Sequence, residues 1–257
     1  MPAELSLPSA TVFGFLLVLA RVAGIFVFVP LPGIKSGPEI SRVALALSIT
    51  LILFPQWPEI PAGATGLGQL TGWLLAEAAL GITIGLAVAF LIEIFVLAAQ
   101  IISMQAGYAY ASTIDPTTQA DSGVLLVIAQ LGAGMLFFAL GFDRHIIRIL
   151  AETLRLHPPG TFHLTPLAVE HIGRLGALMF STGLRLAMPA LALLVLVDVA
   201  LALLGRVNAQ LQLLSLAFPL KMLAALALLG YSVALFPTIY KSAGTVMDAA
   251  LHAVLGR

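Results

Sequence analysis

The chain contains no cysteine and little charge. Without thiols it can hold neither a disulfide framework nor a thiolate metal site. Its five histidines include no His-Glu-x-x-His or comparable ligand spacing. Charged residues make up only 9%, against about 25% in an ordinary soluble domain. Twelve basic and twelve acidic residues leave a formal net charge of zero, so overall charge offers no case for nucleic-acid binding. What fills the chain instead is apolar: 60% of 257 residues are hydrophobic, and mean hydropathy is +1.08. Such a chain cannot cover its surface with polar groups. Its surroundings must be lipid or other apolar helices.

Apolar stretches fall at about 10–32, 43–54, 73–102, 124–142, 175–204 and 211–238. A helix needs about 20 apolar residues to cross a hydrocarbon core of about 30 Å. Val43–Phe54 is short for this, and fits only if it begins near Ser41 and ends at Pro55. Trp73–Ile102 is long, about 45 Å at the helical rise, so a break, a steep tilt or a protrusion is expected. No Lys or Arg precedes the first run, which continues past Arg21 to Pro32 without a small-x-small cleavage site, so it reads as retained rather than as a signal peptide.

The loops conflict with simple alternation. Lys35 and Arg42 mark the first loop as cytoplasmic under the positive-inside rule. Counting spans from there places the basic 143–174 loop, with Arg144, Arg148, Arg155 and Arg174, on the opposite side. Either 73–102 is not one simple span, or the bundle is not inserted and bathed in lipid in the ordinary way. No internal repeat or long linker divides the chain, which reads as one domain over 1–257.

Charges within apolar runs are Arg21, Glu77, Glu93, Arg185, Asp198 and Lys221. Each costs roughly 2.5 kcal/mol or more at a bilayer centre unless paired or hydrated. They read as an ion path or, preferably, as structural pairs between helices, although no two lie close together on one helix. Small residues form packing stripes, Gly81-x-x-x-Gly85 after Glu77 and Ala20-x-x-x-Gly24, which let backbones approach. Pro189, Pro219 and Pro237 interrupt apolar runs. Pro219 lacks an N–H and should kink or break its helix beside Lys221.

The segment Met104-Gln-Ala-Gly-Tyr-Ala-Tyr-Ala-Ser-Thr-Ile-Asp-Pro116 is too polar to span and too uncharged for an ordinary solvated loop. Asp115-Pro116 forces an extended or turn conformation. Non-helical backbone at membrane depth survives only within protein or beside a water-filled cavity. The candidates for a pore-lining or plugging element are Met104, Gln105, Gly107, Tyr108, Tyr110, Asp115 and Pro116. An interfacial connector is the competing reading.

Taken in order, Arg21, Pro30, Pro38, Arg42, Glu77 with Gly81 and Gly85, then Gln105, Gly107, Ala111 and Asp115-Pro116, and finally Asn208-Ala-Gln-Leu-Gln-Leu-Leu-Ser-Leu-Ala-Phe-Pro-Leu-Lys221 run almost the length of the chain. In this the sequence resembles the FliR family of flagellar biosynthetic proteins, with its injectisome counterparts. It differs from the family's usual pattern in having Ala209 before Gln210 and Ala217 before Phe218-Pro219.

The resemblance implies an all-α integral membrane protein with broken helices and hairpins, packed in a larger helical assembly. Its parts would be a FliP-like portion over about 1–174 and a FliQ-like hairpin and tail over about 175–257. The implied partners are FliP-like and FliQ-like subunits, an FlhB-like switch protein and unfolded export substrates. The implied location is the bacterial inner membrane at the flagellar basal body, with no cofactor, no nucleic acid and no enzymatic activity. The central loop is implied to help close the pore. Arg21, Arg42, Glu77, Gly81, Gly85, Arg185, Asp198, Phe218, Pro219 and Lys221 are expected to serve structure and assembly. The runner-up is a stand-alone transporter or channel using Glu77, Glu93 and Asp198. A membrane enzyme is third, because no catalytic constellation stands out.

Overall fold

The computed structural model describes residues 9–29, 39–58, 66–108, 124–158, 160–163, 165–207 and 213–255. Among them the regular structure is helical, with no strand: α1 Ser9–Phe28, α2 Glu39–Ile52, a short 3-10 turn Phe54–Gln56, α3 Leu67–Ala106, α4 Val124–Ala139, α5 Phe142–Leu156, α6 Pro166–Val207, α7 Leu213–Val233 and α8 Phe236–Val254. Three of these, α1, α3 and α6, are long and apolar enough to cross a membrane. The pairs α4–α5 and α7–α8 bend by 63° and 57° at short breaks, and each is a broken span or a re-entrant element. The protein is an integral membrane helical protein.

The long third run does not break. α3 is one helix of 40 residues, about 60 Å at 1.5 Å per residue, so it exceeds a bilayer core by protruding or tilting. Nothing in its interior stops it: it has no proline, and Gly81 and Gly85 lie where close packing holds them. α2, with 14 residues, reaches only about 21 Å and falls short of a span. α6 runs through Pro189 and α7 through Pro219 without interruption. The sharp break instead comes between Val233 and Phe236, next to Pro237. The expected interruption at Pro219 is thus displaced to the third proline of the run, where Pro237 occupies the second position of α8 and its missing N–H costs the new helix nothing.

α5 has a different character. Ile146, Ile149, Leu150 and Thr153 are buried at helical spacing, while Arg144, Arg148 and Arg155 are exposed. Its start is set by Gly141, whose φ of 75° lies in the left-handed region that a side chain would disfavour.

The chain folds as two compact units that are interleaved in sequence. One comprises Met1–Ala89, Phe137–Leu175 and Met247–Arg257; its core is built from residues such as Leu17, Val22, Ile25, Leu80, Ile84 and Leu150. Here α1 packs on α2, and the 3-10 turn after α2 lies against α5. The other comprises Phe90–Leu136 and Gly176–Val246. Its core includes Ile102, Leu125 and Leu194 and an aromatic cluster in which Phe95 lies 4.3 Å from Phe236 and 5.3 Å, stacked, from Tyr240.

Candidate functional site

In the first unit, glycines bring two backbones together. A Cβ on Gly81 would meet the Arg21 carbonyl oxygen and lie 3.1 Å from Gly24 Cα. One on Gly24 would sit 2.7 Å from the Ala78 carbonyl oxygen, and one on Gly85 would lie 3.0 Å from Ile25 Cα. Each of the three would also come closer than 3.0 Å to a backbone oxygen of the facing helix, which real Cβ atoms do not tolerate, so α1 and α3 approach this closely only because all three positions lack a side chain.

That approach sets Arg21 beside Glu77, one turn before Gly81. Both side chains are 1% exposed. Arg21 Nε donates to Glu77 Oε2 at 2.5 Å, one terminal nitrogen donates to Thr153 Oγ1 at 3.1 Å, and the other donates to the His157 carbonyl oxygen at 3.0 Å. Gly160 N–H points at Glu77 Oε1 from 3.4 Å. Gly160 turns with φ of 75°, and the Trp73 indole fills the space where its Cβ would stand. His157 Nε2 lies 3.2 Å from the Leu255 carbonyl oxygen. One guanidinium therefore ties α1 to α3, α5 and the turn that follows α5. Such a buried pair is sustainable because each guanidinium nitrogen and both carboxylate oxygens have partners.

In the second unit a carboxylate plays the central part. Asp198 on α6 accepts from Lys221 Nζ on α7, at 2.8 Å through Oδ1, and from Gln105 Nε2 near the end of α3, at 3.0 Å through Oδ2. Three residues on, Tyr108 donates its hydroxyl to the Met222 carbonyl oxygen at 3.0 Å. Burial pushes the Tyr108 phenol above its ordinary pKa. Between them Gly107 turns with φ of 87°, and the Phe218 ring lies 3.1 Å from where its Cβ would be. The end of α3 is thus tied to α6 and α7 through residues 105, 107 and 108.

Within the stretch 104–116, Met104 is exposed and Gln105 and Tyr108 are half-buried. Tyr110, Asp115 and Pro116 lie outside the described residues. Arg42 is half-buried on α2, and Glu93 is half-buried on α3 with no hydrogen-bonding or ionic partner among the described residues. Pro219 and Phe218 are on the exposed side of α7. Arg185 is exposed on α6, again with no partner among the described residues. Pairing therefore joins Arg21 with Glu77 and Asp198 with Lys221, each across tens of residues of chain. The sequence does not single out Thr153, His157 and Gly160 as partners. Their only signal there is a cluster of polar and turn residues at the end of an amphipathic stretch.

A cavity of about 380 Å³ in the first unit is lined by Gly141, Arg144, His145, Arg148 and Asp248, with His145 Nε2 at 2.8 Å from Asp248 Oδ1. Among the described residues no group of three or more His, Asp or Glu is placed to hold a metal ion.

Comparison with known proteins fits this architecture to a family. The family described as bacterial export proteins, family 1, matches residues 12–245. The flagellar biosynthetic protein FliR of Escherichia coli K12 is 30% identical over 222 residues, covering 86% of this chain and 83% of its own length. The FliR of Pectobacterium carotovorum is 31% identical over 76% of this chain and 75% of its own length. That of Bacillus subtilis is 27% identical, with 84% of each covered. A match of this extent, on a helical membrane chain, establishes that the protein belongs to the FliR family of bacterial export proteins.

Proposed function

We propose that this chain lines and closes the pore of a flagellar-type protein export gate. As a FliR-family member it is a component of a flagellar export apparatus. Its role there is transport and not catalysis. It works with FliP-like and FliQ-like subunits and an FlhB-like switch protein in the bacterial inner membrane at the basal body, and passes unfolded flagellar proteins. On this reading residues up to about 174 serve as a FliP-like part and those from about 175 as a FliQ-like hairpin and tail.

The observation that carries the proposal is the anchorage of α3 where it enters the central segment. Gln105 and Tyr108 bond to α6 and α7, and Phe218 packs over Gly107. A segment that closes a pore must be held firmly at its root yet yield beyond it. A loop can yield because moving it breaks few buried contacts, whereas parting packed helices breaks many. The transporter reading is weakened by the same geometry, because Glu77 and Asp198, two of its three carboxylates, are engaged in ion pairs.

A deletion of about Tyr110 to Gln119 tests the proposal. The complex should still assemble, and the membrane should become leaky, read as ion conductance or small-molecule uptake by cells expressing it. An assembled mutant that stays as tight as the wild type would show that the segment is a connector only.

A further inference from the structure

α6 is nearly as apolar as α3 but far less covered: 22% of its most apolar stretch is buried within the chain, against 67% for α3. Its uncovered side is a continuous helical stripe that includes Leu184, Met188, Leu196, Val199 and Leu203. Between Leu184 and Leu203 the one cation on that stripe is Arg185, exposed and with no hydrogen bond or ion pair among the described residues; Arg174 and Arg206 stand beyond its two ends. Two charges on α6 and α7 behave differently: Asp198 and Lys221 satisfy each other.

Lipid is a poor match for this face. The apolar run 175–204 is about 45 Å long, and Arg185 lies about 15 Å from its start. A hydrocarbon core of about 30 Å placed over the first part of the run puts the guanidinium at the midplane, beyond reach of either surface by snorkelling. Shifted to the far end, the core lets Arg185 reach an interface but leaves the exposed Phe180 and Leu184 in water. Either placement calls for a protein cover, and the cover must answer a permanent positive charge that has five donors and no acceptor.

We infer that the exposed face of α6 docks an apolar helix of another subunit that carries an aspartate or glutamate, and that this carboxylate pairs with Arg185. The inference rests on the assembly reading above and names the chemistry of one partner within it. Among the described residues nothing answers the guanidinium; in the assembly the two intramembrane charges neutralise each other, and the flanking stripe supplies apolar packing. The pair also sets register, because sliding the partner by one turn would leave both charges facing hydrocarbon.

The test uses the complete complex in native membranes. Arg185→Leu and Arg185→Glu should each reduce the co-purified partners by roughly tenfold or more, because each leaves a carboxylate without its cation. Arg185→Lys should retain most of the assembly. A photo-crosslinking residue at Met188, one turn away, should label one helix of another subunit, and exchanging that helix's acidic residue for Arg should restore assembly to Arg185→Glu. Normal assembly and export by Arg185→Leu would overturn the pairing, as would labelling of lipid or of a second copy of this chain alone. So would a crosslinked helix whose acid-to-Arg exchange fails to rescue. None of these results would touch the pore-closing proposal, which stands or falls on leakage after deletion of the central segment.

Discussion

Replacing Arg21 by Met removes the one cation from a site where Glu77 is 1% exposed. Three acceptors lose their donor at once: the Glu77 carboxylate, Thr153 Oγ1 and the His157 carbonyl oxygen. Thr153 can turn to other partners, since it already donates to the Leu150 carbonyl oxygen at 2.7 Å. Glu77 cannot, because the Gly160 N–H at 3.4 Å is its one remaining hydrogen bond among the described residues. Breaking one side of a buried pair costs about 3–5 kcal/mol. For a chain of this size that corresponds to a fall in unfolding midpoint of about 6–20 °C. Glu77→Leu should cost a similar amount, leaving a guanidinium without its counter-charge. The double replacement, Arg21→Met with Glu77→Leu, removes both charges and keeps apolar volume, so it should lie within about 2 kcal/mol of wild type and be more stable than either single variant. Thermal unfolding of the detergent-solubilised complex, with subunit abundance in membranes as a second readout, measures all three. If the single variants unfold with the wild type, or if the double variant loses the sum of the two, the pair is not the closed charge network described here.

Further tests separate close packing from plain helix propensity. Gly24→Ala and Gly81→Ala should each cost about 1–3 kcal/mol by forcing α1 and α3 apart, whereas Gly132→Ala, in open space on α4, should be neutral or stabilising by up to about 1 kcal/mol; equal effects in unfolding scans would refute the backbone-contact account. Gly141→Ala should destabilise by about 1–2 kcal/mol through its positive φ, despite there being room for the methyl group. Lys221→Met should cost only about 1 kcal/mol of stability, because Asp198 is 43% exposed, yet it should impair export through the loosened end of α3; undiminished export measured as motility would argue against the anchor. Pro219→Ala should raise helix stability without abolishing the bend at Val233–Phe236, detectable by spin-label distances across α7 and α8.

Composition alone set the class of molecule. With so little charge and so many apolar residues, no arrangement of this chain could face water on all sides; lipid offers backbone groups no partners, which leaves helices or closed barrels, and continuous apolar runs of about 20 residues, not short alternating ones, point to helices. The small-residue stripes were equally legible, because only a missing side chain lets two helices meet backbone to backbone. What could not be read was which charge meets which. Arg21 finds Glu77 56 residues away and Thr153 132 residues away, and Asp198 collects Gln105 from 93 residues upstream. Nothing in local spacing encodes such meetings; they follow from the order in which helices pack. Helix continuity was likewise undecided. A run of 30 apolar residues is too long for one straight span and leaves a break, a steep tilt or a protrusion open; an α-helix stops only where its backbone hydrogen bonds are interrupted, and α3 contains nothing that interrupts them. Prolines mark where interruption is permitted, not where it happens, and packing chose Pro237 over Pro219 for the break. The sequence thus decides what each segment must avoid, and the tertiary structure decides what each buried charge is given in return.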